Sequence, residues 1–91
     1  MGVLNKEAGL DERLAILEKL LVDNAWVLIA GEGIHDGLYC NGLKSISVHN
    51  NEERFILSVM HDNKVLKKFY DIDDVLSDAL LTYFIQEYYE V

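Results

Sequence analysis

One cysteine, three histidines and sixteen carboxylates are the residues of this chain with chemistry to offer. Cys40 with His35 or His49 has the types needed for a base-activated thiol, but such a pair is defined by geometry that spacing does not supply. His35, Asp36 and Cys40 are close in sequence, and His49 and His61 could meet across a hairpin, which is raw material for a zinc site. Zinc signatures come as paired ligands such as CxxC or HxxxH, and neither pair is present. The segment Gly31-Glu32-Gly33-Ile34-His35-Asp36-Gly37 lacks both the Lys-Ser or Lys-Thr ending of a phosphate loop and the spacing of a dinucleotide fingerprint. Glu32 and Asp36 would also repel a phosphate. The acidic run Asp71, Asp73, Asp74 and Asp78 has neither the turn glycine nor the closing glutamate of a calcium loop. No catalytic residue, metal or cofactor is therefore assigned, and the chain is not expected to be an enzyme.

The charge balance says more. Sixteen acids face eight bases, giving a net charge of −8 and a pI near 4.6. The only basic cluster is Lys64, Lys67 and Lys68, and Asp71, Asp73 and Asp74 follow it at once. Beyond Phe69 the chain carries Asp71, Asp73, Asp74, Asp78, Glu87 and Glu90 with no Lys or Arg. Phosphate backbones are bound by clustered bases, so direct binding of nucleic acid is not expected. A basic protein is the expected partner. The longest apolar runs, Ala25 to Ala30 and Ala79 to Ile85, fall far short of the roughly 20 residues that cross a bilayer. No signal-like apolar segment opens the sequence, and a lone cysteine permits no internal disulfide. Together these lead to the expectation of a cytoplasmic protein without a membrane partner.

The elements that would position these residues are legible in the periodicity. The 91 residues, 51% hydrophobic and without proline, suit one domain spanning 1–91, with 1–9 expected to fray as a leader. Leu10, Leu14, Leu17 and Leu21 share one helical face, predicting a helix over 11–23 capped by Asp11. Val27, Ile29 and Trp26 then mark a strand, and Gly37 to Cys40 a second. Asn41-Gly42 is a hairpin turn. Leu43 to His49, Arg54 to His61 and Lys64 to Tyr70 continue as a meander, broken at Asn50-Asn51 and Asp62-Asn63. Asp71 caps a second helix read as running to about Tyr89. The predicted fold is α+β: a two-layer sandwich with an antiparallel meander of four or five strands and both helices on one face. The order helix, meander, helix resembles that of double-stranded RNA-binding domains. Those domains place lysines where Asp71, Asp73 and Asp74 stand here, so their function is not carried over.

Within the second helix, a regular 100° step puts Ile72, Leu76, Ala79, Leu80 and Tyr83 on the face toward the sheet. Leu81, Ile85 and Tyr88 then form a second, outward stripe, expected to meet a partner together with Asp73, Asp74 and Asp78. The leading expectation is a small acidic binding protein that blocks or regulates a basic protein, in the manner of immunity proteins or phage inhibitors. This rests on analogy of size and charge. The alternative is a structural or regulatory homodimer joined through the C-terminal helix. A small enzyme using Cys40 or the histidines is the third reading.

Overall fold

A 22-residue helix, α1 (Gly2–Asp23), opens the chain and leads into five strands: β1 (Val27–Gly33), β2 (Asp36–Asn41), β3 (Lys44–Asn50), β4 (Phe55–His61) and β5 (Lys64–Phe69). Two short helices follow, α2 (Ile72–Ser77) and α3 (Ala79–Gln86). The computed structural model describes the backbone of residues 2–51 and 54–86, with side chains from residue 9 onward. The strands form one antiparallel sheet in the order β1-β2-β3-β4-β5, the expected meander. The helices cover one face, as predicted for an α+β sandwich, and no described helix is long and apolar enough to cross a membrane.

Alternation along the strands decides which face is covered. Tyr39, Ile46 and Val59 lie in register across β2, β3 and β4, as do Val48, Leu57 and Phe69 across β3, β4 and β5. All six are buried against Leu14, Leu17 and Leu21 of α1 and the apolar residues of the C-terminal helices. The opposite face carries Cys40, Ser45 and Met60 in one row and Ser47, Ser58 and Lys68 in another. Serines at its centre let that face meet water without the cost of exposed aliphatic surface.

Turn chemistry fixes the register. Between β2 and β3, Gly42 has φ +64, and Asn41 pairs with Lys44 around it, as a two-residue hairpin needs. Between β4 and β5, Asp62 and Asn63 both adopt positive φ, the signature of a type I′ turn in residues that tolerate it. The glycine-rich segment is a bulged hairpin. Gly31, at φ +86, faces Gly37 across the strands, and a side chain on either would run into the other strand's backbone.

Helix α1 starts at Gly2, so Asp11 lies inside it and does not cap it. Its C-terminus is closed by a Schellman motif: the Trp26 N–H donates to Leu21 O at 3.0 Å and the Ala25 N–H to Val22 O at 3.1 Å. Ala25 holds the left-handed position of that motif, with φ +68, where glycine is usual. Asn41 Nδ2 donates to Asn24 O at 3.1 Å and ties the helix end to β2. Relieving the left-handed alanine outweighs the extra freedom a glycine gives the unfolded chain. We therefore expect Ala25→Gly to stabilise the fold by about 0.5–1 kcal/mol, read as a higher midpoint in chemical denaturation.

Candidate functional site

The C-terminal segment does not continue as one helix. Asp78, at φ −85 and ψ 116, leaves helical geometry between α2 and α3. Its backbone N–H closes α2 on Val75 O, and its side chain opens α3 by accepting the Leu81 N–H at 2.7 Å. Lys67 Nζ donates to the same carboxylate at 2.8 Å from β5. The hydrogen bond from Lys67, followed by that from the Leu81 backbone, holds the Asp78 carboxyl below the ordinary aspartate range. Asp71 performs the expected cap of α2, accepting the Asp73 N–H at 2.9 Å.

This break re-phases the last helix. Leu81 and Ile85 are 4% and 1% exposed and belong to the core, whereas Leu80 and Tyr83 are 75% and 70% exposed. Within α3 the expected faces are exchanged: Leu81 and Ile85, assigned to a partner, pack inside the chain, and Ala79, Leu80 and Tyr83, assigned to the sheet, are exposed, whereas Ile72 of α2 is buried as expected. A 100° step carried across Asp78 ignores the extended residue there, which resets the rotation. Tyr88, the third member of the expected stripe, lies outside the described residues. The acids are also engaged within the chain. Asp73 pairs with Arg13 of α1, Asp78 is spent on α3 and Lys67, and Asp74 is exposed in the first turn of α2.

What the structure brings together is a groove of about 600 Å³ between α3 and the β5 side of the sheet. Val59, Phe69, Leu81 and Phe84 form its apolar lining, and exposed Leu66, Leu80 and Tyr83 extend it to the surface. Leu66 reaches it because β5 bulges against β4 between Val65 and Lys67. The C-terminal end of α3 is fixed from below. Trp26 Nε1 donates to Ile85 O at 3.1 Å, and Lys44 Nζ donates to Phe84 O at 3.0 Å. The Lys44 ammonium lies 5.7 Å and 5.5 Å from the Trp26 and Phe84 ring centroids, and those rings are 6.0 Å apart. A cation over two ring faces reinforces the carbonyl contact.

The other sequence candidates are dispersed. His49 pairs with Ile56 and His61 with Lys44, so these histidines sit at opposite ends of the β3–β4 hairpin. Cys40 is half-buried and pairs with Ser45, four residues along β3 from His49, or about 13 Å. His35 and His49 instead approach Asp11 and Asp36 at 3.8 Å and 3.7 Å. Among the described residues no three His, Cys, Asp or Glu side chains gather as a metal site would need. The lysine cluster is split by strand alternation: Lys67 lies toward the helices, paired opposite Val59, and Lys68 lies on the other face, opposite Ser58. No family model, curated protein or solved structure matches this chain.

Asp78 is therefore the residue whose loss should cost most among the helix acids. We expect Asp78→Ala to destabilise by about 1–2 kcal/mol and Asp71→Ala by about 1 kcal/mol, measured by urea denaturation at neutral pH. This reverses the order that a single continuous helix implies. The lowered Asp78 carboxyl also has a pH signature. Its contribution is complete above the ordinary aspartate pKa of about 4 and is lost as pH falls through the lower folded value. The stability gap between the wild-type chain and Asp78→Asn should accordingly narrow on acidification. A gap unchanged from neutral pH to pH 2 would contradict the assignment.

Proposed function

We propose that this chain is a small non-enzymatic protein that binds and blocks or regulates a basic protein, and that the α3–β5 groove is its contact surface. The observation that carries this reading is the outward exposure of Leu80, Tyr83 and Leu66 around one apolar groove. Exposed aliphatic and aromatic side chains gathered at a concavity are the usual anatomy of a protein contact, with tyrosine favoured at its centre. Full burial of each leucine adds about 1.5–3 kcal/mol to association. At the groove wall Lys67 pairs with Asp78 and Lys44 is directed onto Phe84 O and the Phe84 ring, so the contact offered there is mainly apolar.

The acid excess acts at longer range. Asp11, Glu12, Glu18 and Asp23 are exposed on α1, and Glu32, Asp36, Asp62, Asp71, Asp73 and Asp74 elsewhere. A net charge of −8 on so small a body speeds encounter with a basic surface and repels acidic ones. The division of labour would be steering by the carboxylates and retention by the groove.

The test is a photo-reactive side chain in place of Tyr83, in the cell that makes the protein. We expect irradiation to give one discrete adduct with a basic protein, and Leu80→Glu to abolish it while leaving circular dichroism unchanged. Raising the salt concentration should slow association of the purified pair. An adduct of two copies of the chain would favour the homodimer through the C-terminal helix instead. Labelling no stronger than from a reactive group at exposed Lys19 would overturn the proposal.

A further inference from the structure

Asn41 is followed by Gly42, and none of the chain's other five asparagines precedes a glycine. That dipeptide has a chemistry of its own. The backbone nitrogen after an asparagine can attack its side-chain amide, and glycine, lacking a Cβ, obstructs the approach least. The turn leaves room for it. Gly42, at φ +64, stands in open space, with nothing within 4 Å of where a Cβ would be. No turn hydrogen bond among the described residues uses its N–H. What holds the reaction back is the task of the Asn41 side chain: Nδ2 donates to Asn24 O at 3.1 Å, which keeps the amide turned toward the end of α1.

We propose that Asn41 is a deamidation site gated by the fold, and that its conversion irreversibly unties α1 from β2. A base takes the Gly42 N–H proton, the nitrogen bonds to Asn41 Cγ, and the Cγ–Nδ2 bond breaks as Nδ2 takes a proton and leaves as ammonia. Water then opens the cyclic imide at either carbonyl, giving aspartate or its β-linked isomer, with no change of oxidation state. Attack requires Cγ to turn from Asn24 to Gly42, so the tie must break before the ring can close. The aspartate has no donor for Asn24 O and sets a carboxylate at the negative end of the helix dipole. A carboxylate of α1 already acts nearby: burial, and then the charge of Glu18, raise the pKa of Tyr39, two residues back along β2. The β-linked isomer lengthens the main chain by one methylene at the residue paired with Lys44, whose Nζ holds Phe84 O. One spontaneous reaction thus reaches the ends of both α1 and α3.

The full chain, aged at mildly alkaline pH, digested and read by mass spectrometry, should show acid and β-linked acid at Asn41 before any other asparagine. Conversion should run several-fold faster in urea above the unfolding midpoint than in buffer, because the tie is then absent. Asn41→Asp should unfold at lower urea than Asn41→Ala, and the gap should narrow in high salt, since only the first brings a charge. Amide exchange at Ala25 and Trp26, which close α1, should be several-fold faster in Asn41→Asp than in the wild-type chain. If that variant fails to fold, aged wild-type chain separated by ion exchange into converted and unconverted fractions gives the same comparison. First conversion at another asparagine would overturn the site, and equal rates in buffer and urea would overturn the gating. Equal stability of Asn41→Asp and Asn41→Ala, or of the two aged fractions, would overturn the untying.

Discussion

One carboxylate decides which way α3 faces. Asp78 closes α2, caps α3 and accepts Lys67 from the sheet, all from a single extended residue between two helices. The rotation it imposes turns Leu81 and Ile85 into the core and Leu80 and Tyr83 out of it. A regular 100° step carried through Asp78 would exchange those roles. The groove thus follows from a backbone break, and the break is held by hydrogen bonds to a group that is ionised at neutral pH.

The far end of α3 is secured by a different kind of contact. A helix of eight residues is too short to persist in water alone, and its last carbonyls need donors. Trp26, in the connection between α1 and β1, and Lys44, at the start of β3, supply them from about forty to sixty residues earlier in the chain. These long-range bonds, with Leu81 and Ile85 beneath, make α3 a part of the single core. Small domains bury a modest fraction of their surface, so one such anchoring pair is a large share of what keeps the last element in place.

Much of this was written locally in the sequence. The leucine spacing gave the buried face of α1, alternation set Ile46 and Val48 of β3 apart from Ser45 and Ser47, and Asn41-Gly42, Asp62-Asn63 and Asp71 marked turns and a cap where they are found. The break at Asp78 was harder to read, because Leu76, Ala79, Leu80 and Tyr83 continue a plausible helical face across it. No glycine or proline interrupts the segment. The available signal was Ser77-Asp78 directly before an apolar run, which is a helix start. The groove depends on the meeting of α3 with a bulge in β5, a tertiary fact that no local pattern states. Of the acids read as a surface for a partner, Asp73 and Asp78 also make ion pairs within the chain, a tertiary fact the charge pattern does not state, and Asp74 is exposed.

Trp26 is the only tryptophan of the chain, and it is buried with its indole N–H on Ile85 O and its ring against Phe84. Its emission therefore comes from one environment, and that environment is the underside of α3. Lifting the helix would expose the indole to water and break its hydrogen bond together. Phe84 separates this fluorophore from the groove by the thickness of one ring. The protein in this way contains an unlabelled optical sensor for the seating of its own last helix, placed one side chain away from whatever enters the groove.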